Sequence, residues 1–193
     1  MKLDRRLAFL SSLALLSCLP FAFSQEGAPA VPAIRLEPRT VILVRHAEKS
    51  GDGDAQDPEL SPEGQERAQA LARLLARAGA TRLFASEFRR TRDTLAPLAE
   101  RCKLAIEARP AGELDALAVE LVSGEPGSVS VVCGHSNTIP ALAARLGAPL
   151  SGVGDGPNGP ALDEAEYDRL FVLHLPPNGT AVRPTVLELR YGR

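Results

Sequence analysis

Short, continuous apolar runs alternate along the chain with longer stretches in which apolar residues recur every three or four positions. The runs at residues 41–44, 83–85 and 129–133 contain almost no polar residue, which is typical of strands covered on both faces of a mainly parallel sheet. The stretch from Ala68 to Leu75 has helical spacing. Strands that alternate with helices predict an α/β fold, here a three-layer α/β/α sandwich with a mainly parallel central sheet.

The same patterns give approximate bounds for the elements. Ser61 and Pro62 form a helix cap and first turn, and Ser86 is predicted to cap the helix that follows it. Pro97 falls inside that second helix and is expected to kink it. Residues 50–58 and 147–160 are rich in Gly, Asp or Pro and are predicted to be loops. Further strands are predicted at residues 104–106, 171–175 and 186–189, and further helices at residues 114–121 and 138–146.

Two of the predicted strands end in a histidine. Arg45 and His46 follow the first strand, and His135 follows the fourth. Because the carboxyl ends of parallel strands meet at one edge of a sheet, and ligands bind outside that edge, we expect these side chains to share a site. Arg90 lies in the first turn of the predicted second helix, whose free N–H groups favour an anion.

These residue types suit phosphate chemistry. Catalysis of phosphoryl transfer consists largely of neutralising charge on the phosphoryl oxygens and presenting a nucleophile in line. Arginine binds phosphate oxygens with a planar fork and keeps its charge. Histidine can act near neutrality as a neutral nucleophile or as a cationic donor. The sequence therefore predicts a phosphate site.

Three segments resemble, in order and spacing, the motifs of the histidine phosphatase superfamily, the phosphoglycerate-mutase-like group, in its branch with an RHAE motif. They are RHAE at residues 45–48, SEFRRTRDT at residues 86–94 and GH at residues 134–135. The resemblance spans about residues 40–175. It implies that His46 is the nucleophile that becomes phosphohistidine and that Arg45, Arg90 and His135 complete the pocket. The Ser-x-x-x-Arg-Thr-x-x-Thr spacing selects Arg90 over its arginine neighbours.

Other roles are less sharply defined. The resemblance implies a general acid after the third strand, where Glu113 is preferred and Asp115 is the alternative; either carboxylate could instead only stabilise a helix N-terminus. Glu48 and Lys49 are expected to be contacts at the pocket rim or a solvated pair, and Asn137 is a candidate substrate contact. The segment after His46 is acidic and has Ala47 where mutases have Gly, which disfavours mutase activity.

The predicted function is hydrolysis of a phosphomonoester through a phosphohistidine on His46. The substrate is a phosphorylated small molecule or a phosphorylated macromolecule. The alternatives are a phosphohistidine or phosphoglycan phosphatase with one specific substrate, or a noncatalytic phosphate-binding module. No Cys/His spacing indicates a metal site, so no metal or cofactor is expected. His174 lacks motif neighbours and is expected to be a structural strand residue.

The first 24 residues have the layout of a secretory signal peptide. Basic residues precede an apolar stretch at residues 7–19, which is too short to span a membrane, and residues 22–24 read Ala-Phe-Ser. Processing at Cys18 as a lipoprotein is a weaker alternative. Residues 25–39 are predicted to be a Pro/Ala-rich tether and residues 40–193 the phosphatase domain. The protein is expected to be periplasmic or secreted, without stable membrane insertion after the signal is removed.

Removal of residues 1–24 leaves 19 basic and 23 acidic residues, a formal charge of −4. Such a balance does not resemble a nucleic-acid-binding surface. Cys102 and Cys133 remain, and export would permit their oxidation. Their separation decides whether they can form a disulfide, and the sequence leaves this open.

We predict that the exported protein begins at Gln25 or within a few residues of it, because small residues stand at both positions that a signal peptidase reads. N-terminal sequencing of protein recovered outside the cytoplasm tests this. An intact Met1 on that protein would contradict the prediction.

Overall fold

A computed structural model describes residues 37–52, 54–177 and 179–192. The predicted signal peptide at residues 1–24, the alternative at Cys18 and most of the predicted tether lie outside the described residues. They remain predictions. Within the described part of the chain, no helix has the length and hydropathy that a membrane crossing requires.

The centre of the domain is a six-stranded sheet with the strand order β3-β2-β4-β1-β7-β8. The first four strands in this order are parallel, β7 is antiparallel to its neighbour β1, and β8 is antiparallel to β7. The strands are β1 (Arg39–Arg45), β2 (Arg82–Ala85), β3 (Ile106–Ala108), β4 (Val129–Gly134), β7 (Arg169–Leu175) and β8 (Thr185–Arg190), and a separate hairpin consists of β5 (Gly154–Gly156) and β6 (Gly159–Ala161). The predicted mainly parallel sheet is confirmed.

Helices cover both faces of this sheet. The helices are α1 (Pro62–Leu75), α2 (Arg89–Cys102), α3 (Leu114–Val122) and α4 (Thr138–Arg145). Alternate residues of β1 point to opposite layers: Ile42 belongs to the core cluster that includes residues of α1 and α2, whereas Leu43 belongs to the cluster that includes residues of α3 and α4. The apolar run of β1 is thus buried on two sides, as predicted, and the three-layer sandwich is confirmed.

The structure corrects three local predictions. The third strand begins at Ile106 and not at residue 104. The reason is that Lys103, the C-cap of α2, has a left-handed conformation (φ 55°) and Leu104 N–H still bonds back to the helix. Part of the predicted loop at 147–160 forms the β5–β6 hairpin, where Gly159 (φ 104°) permits the tight turn. Ser86 does not cap α2; the N-cap residue is Phe88, which offers no side-chain oxygen.

The two cysteines of the domain occupy different surroundings. Cys133 is buried in β4 within the core, and Cys102 is partly buried at the end of α2. Both are free thiols in this structure.

Gly64 lets the first turn of α1 pack directly on the segment that follows β1. Ser61 Oγ caps this turn by accepting from Gly64 N–H at 3.1 Å, and Ser61 N–H donates to the Glu48 carbonyl at 2.9 Å. A Cβ on Gly64 would lie 2.1 Å from that same carbonyl oxygen. The absence of a side chain at Gly64 therefore fixes where the chain beyond His46 can run.

We predict that Gly64→Ala destabilises the domain by about 1–3 kcal/mol, because backbone atoms must move to relieve the overlap. Alanine is otherwise the better helix former, so helix propensity alone predicts the opposite sign. Chemical denaturation measures the difference, with Gly51→Ala as the matched control, since a Cβ on Gly51 meets nothing within 4 Å. Equal stability of the two variants would contradict the prediction.

Candidate active site

Parallel pairing of β1 with β4 brings the two sequence-predicted histidines together. Arg45 is the register partner of Gly134, and His46 N–H donates to the Gly134 carbonyl at 2.9 Å. The imidazole centroids of His46 and His135 lie 5.3 Å apart. A Cβ on Gly134 would lie 2.6 Å from Thr138 Oγ1, so glycine is needed for α4 to start this close to the strand.

His46 is held as a neutral imidazole with one defined tautomer. Its Nδ1 lies 2.8 Å from the Ala47 carbonyl, which can only accept, so Nδ1 carries the proton and Nε2 keeps its lone pair. Ala47 N–H in turn donates to Thr94 Oγ1 at 2.9 Å. Burial lowers the pKa of His46 to about 3, assisted by His135 and Arg45 and opposed by the bond to Ala47. His46 therefore presents an unprotonated nitrogen over most of the pH range.

His135 is also neutral in the free protein. Arg90 Nη2 lies 3.4 Å from its Nδ1 and can only donate, which places the ring proton on Nε2, 2.9 Å from Ser86 Oγ. Burial, followed by the charge of Arg90, lowers the pKa of His135 to about 4. His135 can therefore become cationic only when the negative charge of a bound phosphate dianion raises its pKa. Ser86 therefore orients the His135 imidazole and does not fill the predicted role of capping α2.

Of the three neighbouring arginines in α2, the structure brings Arg90 into the site. Its guanidinium carbon lies 4.4 Å from the centre of the Phe88 ring, and its Nη1 lies 3.6 Å from Asp57 Oδ1. Burial lowers the pKa of Arg90. Arg89 instead pairs with Glu59 at 2.7 Å on the surface, and Arg92 is exposed.

Arg45 is anchored by an acidic segment that we define as residues 163–168. The side chain of Arg45 is 3% exposed, and its Nη1 donates to the carbonyl oxygens of Asp163, Glu164 and Glu166 at 2.8, 3.1 and 3.3 Å. Its Nη2 donates to Glu164 Oε2 at 2.7 Å. The guanidinium carbon lies 4.1 Å from the centre of the Tyr167 ring. The acidic segment thus orients an arginine that lies 118 or more residues away in sequence.

A cavity of about 480 Å³ opens above these groups. Arg45 Nε and Arg90 Nη1 are both buried and have no hydrogen-bond acceptor among the described residues. Unsatisfied buried guanidinium donors beside two imidazoles fit an oxyanion such as phosphate. The residues that line the cavity include Arg45, His46, Lys49, Arg90, His135, Ser136, Asn137 and Glu164.

The remaining predicted residues divide into two groups. Lys49 and Asn137 line the cavity. Glu48 does not, because the Arg67 guanidinium from α1 holds its carboxylate at 2.6 Å and lowers its pKa against the effect of burial. Glu113 is exposed at the N-cap of α3, and Asp115 pairs with Arg145 at 2.6 Å; neither lines the cavity.

The general-acid role of Glu113 or Asp115 therefore stays a prediction without support from the cavity's geometry. Ser136 and the whole acidic segment were not among the residues predicted from the sequence. The run DEAEYD directly before the seventh strand was the available signal. The described residues contain no group of three or more His, Cys, Asp or Glu arranged to hold a metal, and the expectation of metal-free chemistry remains to be tested.

Comparison with known proteins finds similarity to histidine phosphatases. The family model "Histidine phosphatase superfamily (branch 1)" matches residues 41–113. A candidate phosphohistidine phosphatase SixA from Nakamurella multipartitia is 28% identical, with a TM-score of 0.52 over 71% of this chain and 84% of that one. No protein with a curated description is significantly similar to the chain.

Two further solved structures share the fold at lower identity. The protein histidine phosphatase SixA in complex with tungstate is 18% identical, with a TM-score of 0.61 over 78% of this chain and 96% of that one. A mycobacterial glucosyl-3-phosphoglycerate phosphatase is 20% identical, with a TM-score of 0.54 over 72% and 91% of the two chains.

The family-model match and the similarity to solved phosphatases identify the chain as a hydrolase of the phosphatase class. The chain is similar to the histidine phosphatase superfamily, whose branch 1 model matches residues 41–113.

We predict that the two site histidines make the fold sensitive to acid. Their pKa values of about 3 and 4 lie below the ordinary 6.5, so the unfolded chain binds more protons than the folded one. Their contribution is present above pH 6.5 and is lost as pH falls from there toward 4. The free energy of unfolding should therefore fall more steeply across this interval in wild type than in His46→Asn or His135→Asn.

Denaturation at several pH values measures these slopes. The chain has three histidines, and His174→Asn is the control because His174 is exposed on β7. This variant should keep the wild-type slope. If all four proteins show the same slope, the two site histidines are not held neutral.

Proposed function

We propose that this protein is an exported phosphatase that hydrolyses phosphomonoesters through a covalent phosphohistidine at Nε2 of His46. The observation that carries the proposal is the tautomer of His46. Its Nδ1 proton is engaged by the Ala47 carbonyl at 2.8 Å, which leaves Nε2 with its lone pair, and His46 lines a cavity that also holds two arginines. A site that only bound phosphate would have no need of an unprotonated imidazole nitrogen.

The reaction has two steps. In the first, the Nε2 lone pair forms a bond to phosphorus as the bond to the leaving alcohol breaks. Arg45 and Arg90 neutralise charge on the phosphoryl oxygens, and His135 donates a hydrogen bond to a nonbridging oxygen. In the second, water attacks the phosphohistidine, and the N–P electron pair returns to His46. The charge of the bound phosphate raises the pKa of His135 from its value in the free protein.

A second candidate substrate is protein-bound phosphohistidine. The 28% identical relative is described as a candidate phosphohistidine phosphatase, whereas the mycobacterial neighbour acts on glucosyl-3-phosphoglycerate and is 20% identical. The cavity contains few apolar side chains, Phe88 among them, that could grip one small organic group. Turnover of phosphohistidine peptides against a panel of phosphorylated sugars separates the two substrate classes.

We predict that rapid quenching under alkaline conditions traps one phosphoryl group on the peptide that contains His46, since an N–P bond survives alkali. His46→Ala should remove the label and lower turnover by about a thousandfold or more, because the nucleophile itself is lost. Mass spectrometry of the quenched digest and an assay with an aryl phosphate measure both effects.

His135→Ala should slow labelling without abolishing it, because His135 stabilises charge and forms no bond to phosphorus. His174→Ala is the matched control and should behave as wild type. Turnover without a label on His46, or normal turnover by His46→Ala, would refute the covalent mechanism. Phosphate binding without any turnover would favour the noncatalytic module.

A further inference from the structure

Glu164 provides a carboxylate inside the cavity that the proposed mechanism has not yet used. Its Oε2 accepts from Arg45 Nη2 at 2.7 Å, and its Oε1 accepts from Ser136 Oγ at 3.0 Å. Among the described residues that line the cavity, Glu164 carries the sole carboxylate. We propose that Glu164 is the acid–base residue of the reaction, which protonates the leaving alcohol and later deprotonates the attacking water. This assignment rests on the proposed function.

His46 and Glu164 lie at different depths of the cavity, since one is buried and the other exposed. His46 is 5% exposed and forms the floor of the site, so the leaving oxygen must point away from the floor, toward the mouth of the cavity. The Glu164 side chain is 76% exposed and therefore lies at that mouth. Glu113, the acid expected from the sequence, does not line the cavity.

The backbone of Glu164 is fixed, whereas its exposed side chain has room to rotate. Leu162 N–H donates to the Ser136 carbonyl at 2.9 Å, and Leu162 is buried in the core. The carbonyl of Glu164 accepts from Arg45 Nη1 at 3.1 Å. The carboxylate can therefore change partners by side-chain rotation alone, without any loss of core packing.

Phosphate binding changes the charge around Glu164. The charged groups that face it are Arg45 at the end of β1 and Lys49 beyond it, and Ser136 after β4 donates to it. Burial raises the pKa of Glu164, but Ser136 and the two cations outweigh burial and hold this pKa below its ordinary value. A phosphate dianion on Arg45 competes for the guanidinium and adds negative charge, and both effects raise the pKa. Phosphate binding therefore favours protonation of the Glu164 carboxylate.

Over one turnover Glu164 donates one proton and regains one. As the N–P bond to His46 forms and the P–O bond breaks, the Glu164 carboxyl gives its proton to the departing alkoxide. In the second step the Glu164 carboxylate accepts a proton from water while the water oxygen bonds to phosphorus and the N–P bond breaks. The carboxyl group is restored, and phosphate leaves.

Glu164→Gln tests this role because it keeps the shape of the side chain and removes the transferable proton. With phenethyl phosphate, whose alkoxide leaves poorly, kcat should fall by about a hundredfold or more; with p-nitrophenyl phosphate, whose phenolate leaves without a proton, it should fall by less than about tenfold. The control is Asp155→Asn, which removes one exposed charge from the β5–β6 hairpin beside the acidic segment and should leave both rates unchanged.

Calorimetry with tungstate, which is a dianion near neutral pH, supplies a second readout. Titrations in buffers of different ionisation enthalpy should show that wild type takes up roughly one proton more than Glu164→Gln on binding. Equal proton uptake by the two proteins would contradict the assignment. Melting curves establish that both proteins are folded at the temperature of the titration.

The outcomes separate this proposal from the proposed function. If wild type labels His46 but Glu164→Gln lowers both rates equally, or raises both, the carboxylate only competes with phosphate for Arg45 and the assignment fails while the covalent mechanism stands. If wild type neither labels His46 nor hydrolyses either ester, the proposed function itself fails. A selective loss with phenethyl phosphate in a protein that still labels His46 supports Glu164.

Discussion

The parallel pairing of β1 with β4 is the constraint on which the site depends. Their register pairs Arg45 with Gly134, the last residues of the two strands, and a histidine directly follows each. The pairing is secured by side chains that alternate between two cores, such as Ile42 on one face and Leu43 on the other. A slip of one residue would exchange these faces. The packing that stabilises the sheet therefore also fixes the distance between the two imidazoles.

Local signals made much of this predictable from the sequence. Uninterrupted apolar runs marked the strands, and the Ser61–Pro62 cap marked the start of α1, because each depends on residues close together in the chain. Arg45, His46, Arg90 and His135 were identifiable because each follows or opens such an element. The structure brings these four side chains to one cavity, as the meeting of parallel strand ends requires.

The acidic segment could not be recognised in the same way. Arg45 and Glu164 are 119 residues apart, and their contact depends on how residues 147–162 fold, including a hairpin held by glycine conformations. Ser86 illustrates a related limit: its place before a helix favours a cap, yet a partner 49 residues away, His135, binds its hydroxyl. Tertiary hydrogen bonds outcompete local ones where the alternative is an unsatisfied buried imidazole.

Burial has opposite consequences for the two halves of the proposed reaction. It keeps His46 neutral and so supplies a nucleophile, but it also keeps His135 neutral in the free protein, which leaves the buried floor without a proton for the leaving group. A proton donor must then come from a group that can exchange with solvent. Glu164 is exposed and pairs with Arg45, so in the proposed mechanism it meets that requirement. The same fold thus buries the proposed nucleophile, His46, and leaves the proposed proton donor, Glu164, accessible to solvent.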